Sequence, residues 1–328
     1  MFSKILLPLD RSSLAEQAIG PAASIARGSH AVIDVVLVHE PFPFAGYTDI
    51  PWDGQDEKAE NKYVDAIAAE LKSGANVSST FAVMRGPPPE RICQRVRDTG
   101  ANLIVMTSHG RTGFSRAWLG SVADAVMRNS AVPVLMLRPE RGLTRRGMTE
   151  KSIKRILVPL DSSPLANVVI PAAIALAHAT HATISIVRVV PIVPIITPID
   201  ATMPITNFPL IPDAVATQQL VDETVKQVEE VARRLQEDGG VSVDAHVVVS
   251  EHVANAIVDF AATHNVDVIA MSTHGRGASR WVMGSVADKV LRASSLPILL
   301  QRPVSVVADP VLIDAGEIAQ QLPALAFG

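Results

Sequence analysis

The chain alternates short, continuous apolar segments with longer segments in which apolar residues recur at helical spacing. In the first half, apolar and β-branched segments predict strands at Ile5–Leu9, Val32–Val38, Ser79–Val83, Leu103–Met106 and Val132–Leu137. The intervening segments predict helices at Leu14–Ala26, Glu57–Leu71, Pro89–Val96 and Val122–Met127. Strands without in–out alternation are typical of a parallel sheet that helices cover on both faces.

The second half repeats the first. The segment KILLPLDRSS at Lys4–Ser13 returns as RILVPLDSS at Arg155–Ser163, and LGSVAD at Leu119–Asp124 returns as MGSVAD at Met283–Asp288. The repeat and the strand–helix alternation predict an α/β fold with two tandem, doubly wound domains, each on a five-stranded parallel sheet. We expect domains at 1–140 and 152–303, a linker at 141–151 and a tail at 304–328.

Composition narrows the class of protein. Hydrophobic residues make up 48% of the 328 residues and the net charge is -4, so a disordered chain or a general nucleic-acid or anionic-membrane binder is not expected. The apolar segment Ile184–Ile199 contains Arg188 and three prolines and does not resemble a membrane span. Cys93 is the single cysteine, which excludes an internal disulfide and suits a cytoplasmic location.

Ligands of open α/β sheets bind at the carboxyl ends of the strands, where the strand order reverses. Asp10 and Asp161 follow the first strand of each half, and glycine-rich segments after the fourth strands lead to Gly120-Ser121 and Gly284-Ser285. Ser121 and Ser285 are predicted N-caps, and the helix N-termini would favour phosphate. The alternatives are that the glycines only form turns, the serines only cap helices, and the aspartates cap the helices that follow them.

Several catalytic motifs are absent from the sequence. There is no Gly-x4-Gly-Lys-Ser/Thr phosphate loop, no Gly-x-Gly-x-x-Gly after the first strand and no Gly-x-Ser-x-Gly elbow. His109 and His274 occupy equivalent positions, but no nucleophile or carboxylate partner is evident, so we expect them to stabilise loops. An enzyme is therefore not expected, beyond slow ATP hydrolysis if ATP binds.

These motifs together resemble tandem universal stress protein domains of the ATP-binding kind. That family has a Gly-x2-Gly-x9-Gly-Ser/Thr motif after its fourth strand, in an adenine nucleotide α-hydrolase-like fold. Residues 107–121 match it except that Thr107 replaces the first glycine. In the second half Ser272 replaces that glycine, and eight residues separate Gly275 from Gly284. The pattern Pro-x-Asp at 8–10 and 159–161 also matches, and the resemblance covers about residues 1–140 and 152–303.

The resemblance implies two ATP sites, each with Mg²⁺ or Mn²⁺ bridging the phosphates. The adenine and ribose ends would lie at Pro8, Asp10 and Val38, and at Pro159, Asp161 and Val189. The ribose and phosphates would lie along Met106, Thr107, Gly110, Gly120, Ser121 and Val122, and along Met271, Ser272, Gly275, Gly284, Ser285 and Val286. Arg111 and Arg276 are candidate phosphate clamps, or else solvated loop residues.

The resemblance implies a nucleotide-dependent stress-response protein whose two domains pair as an intramolecular pseudo-dimer through their last strands, with a homodimer as a further possibility. Glu251 aligns with Gly86 and would repel phosphate at the second site unless a cation or arginine compensates. The missing residue before Gly284 also shortens the second phosphate loop, so the first site is expected to bind better. The alternatives are a dimeric scaffold without nucleotide and a slow ATPase.

Overall fold

The computed structural model describes residues 1–40, 54–109, 119–139, 152–193, 213–273 and 283–303, so the predicted linker and tail lie outside the described residues. The first half contains β1 (Lys4–Leu9), a turn of 3₁₀ helix (Ala15–Ala18), α1 (Ile19–Ser29), β2 (Val32–His39), α2 (Gly54–Gly74), β3 (Ser79–Arg85), α3 (Pro88–Thr99), β4 (Leu103–Thr107), α4 (Ser121–Asn129) and β5 (Val134–Leu137).

The second half repeats this order. It contains β6 (Arg155–Pro159), α5 (Pro164–Asn167), α6 (Ile170–Thr180), β7 (Thr183–Val190), α7 (Ala214–Gly239), β8 (Val243–Val249), α8 (Val253–Thr263), β9 (Val268–Ser272), α9 (Ser285–Ala293) and β10 (Ile298–Gln301). The alternation of strands and helices that the apolar pattern predicted is therefore present in both halves.

One predicted helix is interrupted. The pattern predicted a continuous helix at Leu14–Ala26, but a 3₁₀ turn at Ala15–Ala18 precedes α1. Within that turn the Gln17 N–H donates to the carbonyl of Leu14 at 3.3 Å. Pro21 explains the interruption, since it has no N–H to donate to the carbonyl of Gln17 as a continuous α-helix would require.

All ten strands form one sheet in the order β3-β2-β1-β4-β5-β10-β9-β6-β7-β8. Every neighbouring pair is parallel except β5 and β10, which pair antiparallel with Leu135 opposite Leu299. Each half is thus a doubly wound, five-stranded parallel sheet, as predicted. The two last strands join the halves into an intramolecular pair, which confirms the predicted pairing edge and leaves neither strand open.

Helices cover both faces of this sheet. Ile5 and Leu7 point to the face covered by α1, α2, α6 and α7, and Leu6 points to the face covered by α3, α4, α8 and α9. All three side chains are fully buried, and each of the two apolar clusters contains residues of both halves. The halves therefore share their cores as well as their sheet. No helix among the described residues has the length and apolar character of a membrane span.

Candidate functional site

The strand order reverses between β1 and β4 in the first half, so the crevice expected for a ligand lies at the carboxyl ends of these strands. Pro8 is the penultimate residue of β1 and Asp10 follows the strand, while β4 ends at Thr107. Val38 lies near the end of β2, which pairs with β1 in parallel register with Pro8 opposite Val36. The first-half candidates on β1, β2 and β4 therefore share one edge of the sheet.

The second half places its candidates equivalently. Pro159 lies opposite Val187, which makes Val189 the equivalent of Val38. Ser272 lies opposite Gln301 as Thr107 lies opposite Leu137. Pro159, Asp161, Val189, Met271 and Ser272 therefore gather at a second carboxyl edge.

Asp10 and Asp161 organise the turns that follow the first strands. Asp10 Oδ1 accepts from the N–H of Ser12 at 3.0 Å and from its hydroxyl at 2.6 Å, and Asp161 Oδ1 accepts from Ser163 at 2.9 and 2.6 Å. The serine Oγ atoms then accept from the N–H groups of Ala15 and Ala166, each at 3.1 Å. The serines thus cap these turns, and the aspartates orient the serines.

The end of β4 is buried and braced internally. Met106, Thr107, Ser108 and His109 are all less than a tenth exposed. The Thr107 hydroxyl donates to the carbonyl of His109 at 2.8 Å, and Ser108 Oγ lies 3.1 Å from His109 Nδ1. Thr107 therefore braces the backbone at the position where the family motif has glycine. The imidazole of His109 belongs to the same loop contact, as expected of a loop-stabilising histidine.

The helices α4 and α9, whose first turns are the phosphate-binding candidates, have glycine N-caps. This corrects the prediction that Ser121 and Ser285 are the N-caps. Gly120 and Gly284 are the N-caps, each serine is the first helical residue, and neither helix has a side-chain cap. The Gly120 N–H donates to the carbonyl of Ser108, and the Gly284 N–H to that of Thr273, both at 2.8 Å. A Cβ atom on Gly120 would lie 3.0 Å from the Ser108 oxygen, which explains why a serine does not fit there.

The uncapped helix ends suit an anion. The first intrahelical bond of α4 is from the Asp124 N–H to the carbonyl of Gly120, and α9 has the same bond from Asp288 to Gly284. The N–H groups of the first helical residues, including Val122 and Val286, therefore have no acceptor within their helices. Together with the helix dipole, these N–H groups favour negative charge at both helix starts.

The two helix starts are anchored alike although the second loop is one residue shorter, since Gly120 and Gly284 make equivalent hydrogen bonds. Gly110, Arg111, Gly275 and Arg276 lie between the fourth strands and these glycines and fall outside the described residues. Their predicted contacts with phosphate remain predictions.

The strand register corrects the alignment of Glu251. Arg85 lies opposite His39 and Val249 lies opposite Val190, so Ser250 is the equivalent of Gly86. The N–H groups of Gly86 and Ser250 donate to His39 and Val190 respectively, each at 3.0 Å. The segment between β8 and α8 is one residue longer than the segment between β3 and α3. Glu251 is exposed and follows Ser250, so it does not align with Gly86 as predicted.

One polar pair near the first crevice was not predicted. His39 Nδ1 lies 3.0 Å from Glu60 Oε1, and Glu60, on α2, is only 4% exposed. Its Oε2 atom is buried without a hydrogen-bond partner among the described residues. No local signal links two residues so far apart in sequence. The equivalent of His39 is Val190, so this pair distinguishes the first half from the second.

No cluster of three metal-ligating side chains occurs in the part of the chain that the structure describes. The binding of Mg²⁺ or Mn²⁺ by the nucleotide phosphates stays a prediction.

Several known proteins each match about two fifths of the chain. Universal stress protein MJ0531 of Methanocaldococcus jannaschii is 29% identical over 144 residues, 42% of this chain and 83% of that protein. A Thermus aquaticus universal stress protein is 31% identical over 139 residues, 42% of this chain and all of that protein. Universal stress protein Rv2623 of Mycobacterium tuberculosis is 28% identical over 136 residues, 41% of this chain and 44% of that protein.

A solved universal stress protein from Archaeoglobus fulgidus has the same fold, with a TM-score of 0.63 and 19% identity over 91% of this chain and 98% of that one. The model of the universal stress protein family matches residues 1–138 and again residues 152–302. Since these two matches span both halves of the ten-stranded sheet, the chain belongs to the universal stress protein family as a tandem, two-domain member.

Proposed function

We propose that the chain binds ATP, as a complex with Mg²⁺ or Mn²⁺, at the carboxyl edge of each half and acts in the cytoplasm as a nucleotide-dependent stress-response regulator. The observation that carries this proposal is that, in each half, an uncapped helix start follows the fourth strand and an aspartate turn follows the neighbouring first strand. In each half, N–H donors without intrahelical acceptors would take the phosphates, and the aspartate at the end of the first strand would take the ribose hydroxyls.

The residues at each carboxyl edge would contact different parts of the nucleotide. Val38 and Val189 would contact the adenine, and Asp10 and Asp161 the ribose, beside Pro8 and Pro159. Met106 and Met271 would lie beneath the ribose, since both side chains are buried in the cluster on the α3 and α8 face. Phosphate would lie at Gly120–Val122 and Gly284–Val286. Because Ser250 and not Glu251 is the equivalent of Gly86, we propose that both sites bind.

The test is the amount of nucleotide that each chain binds. We expect the purified protein, once denatured, to release adenine nucleotide, and its stripped form to bind one ATP-Mg in each half by calorimetry. Asp10→Ala should weaken the first site and Asp161→Ala the second, each by roughly 10- to 100-fold, because a charged hydrogen bond contributes about 1.5–3 kcal/mol. The double variant should bind ATP-Mg weakly in both halves.

Asp65→Ala is the matched control, since Asp65 is exposed on α2. Thermal unfolding of every variant separates lost binding from lost folding. A stripped protein that takes up no ATP-Mg would contradict the proposed function and favour the scaffold alternative. Release of ADP together with turnover that stops in Asp10→Ala would favour the slow ATPase.

Gly120→Ala should weaken the first site alone. The added Cβ would lie 3.0 Å from the backbone oxygen of Ser108, so the start of α4 has to shift away from β4. We expect roughly tenfold weaker ATP binding, because overpacking of this kind costs about 1–2 kcal/mol. Gly74→Ala, whose Cβ meets only the Glu70 side chain at 3.9 Å, is the control. Calorimetry that shows unchanged first-site affinity would mean that the position of Gly120 is unimportant for binding.

A further inference from the structure

Arg138 connects the first half to a helix of the second. It directly follows β5, and its guanidinium Nη2 donates to the backbone carbonyls of Leu291 and, at 3.2 Å, of Arg292. The two acceptors lie in the last turn of α9, where carbonyls lack partners within the helix. A cation at this end also interacts favourably with the helix dipole. Burial lowers the pKa of Arg138, which fits a guanidinium enclosed between the two halves.

The other end of α9 is the phosphate-binding candidate of the second half. The helix is only nine residues long, and its N-cap Gly284 is held to Thr273 at the end of β9. The helix packs through Ala287, Val290 and Leu291, which are buried. Because a nine-residue helix is only about 14 Å long, we expect a displacement of its last turn to shift its first turn as well.

The same arginine lies beside the first site. The carbonyl of Leu137, the residue before Arg138, accepts the N–H of Ser108 at 2.8 Å. Ser108 in turn accepts the N–H of Gly120 at the start of α4. A chain of adjacent contacts therefore runs from the phosphate-binding candidate of the first half to α9 of the second.

Within the described residues, the second half makes no equivalent contact with a helix of the first. Arg302 follows β10 as Arg138 follows β5, and both strands end in equivalent register. The buried Nε of Arg302 has no hydrogen-bond partner there, and its side chain makes no bond to the end of α4 in the described part of the chain. Arg302 is therefore a natural control for Arg138.

We propose that Arg138 of the first half is a positioning residue for the second nucleotide site. Its guanidinium holds the C-terminal end of α9, and the first turn of the same helix binds phosphate. This inference rests on the proposed nucleotide binding. It assigns part of the second site to the first half, so the second site is incomplete without its neighbour.

The test compares Arg138→Gln with Arg302→Gln in the full-length chain. ATP-Mg binding is measured by calorimetry, and the Asp10→Ala and Asp161→Ala backgrounds assign each binding event to one half. We expect Arg138→Gln to weaken the second site about tenfold, the scale of a lost charge-assisted hydrogen bond, and to leave the first site within about twofold. Arg138→Lys should restore part of the affinity. Without nucleotide, hydrogen exchange should be faster in α9 but unchanged in α4.

Three results would overturn the inference while leaving the proposed function intact: an unchanged second site in Arg138→Gln, an equal loss at both sites, or the same selective loss in Arg302→Gln. A wild-type chain whose second half takes no ATP-Mg would overturn both the inference and the second-site part of the proposed function. Thermal unfolding identifies a variant that has simply lost its fold, and Arg138→Lys then provides the deciding comparison.

Discussion

Replacing Gly28 with alanine is expected to destabilise the chain by roughly 3 kcal/mol, the upper end of the cost of overpacking a core. Gly28 lies in the last turn of α1, where this helix packs against α6 of the other half. A Cβ atom on Gly28 would lie 1.7 Å from the backbone oxygen of Ala179 and 2.7 Å from its carbonyl carbon. Because these are backbone atoms, no side-chain rotation can relieve the clash, and the two helices must separate.

The separation would affect both halves at once. Ala26 of α1 and Ala177 and Ala179 of α6 belong to one apolar cluster that extends across the joined sheet. Moving the helices apart opens space within that cluster. The dispersion contacts that are lost add to the destabilisation caused by overpacking. We therefore expect a lower urea midpoint for the whole chain and not the loss of one half alone.

Gly20→Ala is the control in the same helix. A Cβ at Gly20 would meet no atom within 4 Å, so this change should stabilise the chain by about 0.5–1 kcal/mol through the lower backbone entropy of alanine. Urea unfolding followed by circular dichroism measures both variants. Equal stability of Gly28→Ala and the wild-type chain would show that the α1–α6 packing tolerates an extra methyl group and would contradict the expected separation.

Local pattern predicted the strands, the duplicated fold and the edge where the halves join, because each depends on residues close in sequence or on a repeated motif. The approach of Gly28 to Ala179 could not be predicted, since it depends on how two separated helices cross. The candidate site, too, could be predicted only in part. The carboxyl-edge rule located Asp10 and Asp161, but the caps at Gly120 and Gly284 depend on the distance to the end of the fourth strand.

The two halves also stabilise equivalent positions differently, which no repeat pattern reveals. Asp34 on β2 lies opposite Leu6, and its equivalent Ser185 on β7 lies opposite Leu157. Both residues are fully buried. Asp34 accepts two hydrogen bonds from Arg95 of α3, at 2.7 and 2.9 Å, and a third from the Thr80 hydroxyl at 2.6 Å. Ser185 instead accepts from Arg155 at 2.9 Å.

Arg95→Ala is expected to destabilise the chain by about 3–5 kcal/mol, because it leaves the Asp34 carboxylate buried without its cation. The Thr80 hydroxyl would be the one hydrogen-bond donor remaining from this cluster. The hydrogen bond to Asp34 raises the pKa of Arg95, so the guanidinium keeps its positive charge at neutral pH. Urea unfolding at neutral pH gives the loss directly.

The control is an exposed pair of the same chemistry. Arg233 on α7 donates to Glu230 and Glu237 at 2.6–3.0 Å, but its side chain is 54% exposed. Arg233→Ala should therefore leave the urea midpoint nearly unchanged, because exposed ion pairs contribute little to stability. Comparable losses in the two variants would mean that burial of Asp34 is not the source of the effect.

The second half suggests how the loss can be reversed. Arg95 stands five residues before Gly100, which has a left-handed backbone, and Phe260 stands five residues before the left-handed Asn265. The double change Asp34→Ser with Arg95→Phe would place the two second-half side chains at these positions and remove both charges together. Because no charge is then left without a partner, we expect it to recover most of the stability that Arg95→Ala loses. If the double variant is as unstable as Arg95→Ala, packing of the arginine side chain and not the uncompensated carboxylate accounts for the cost.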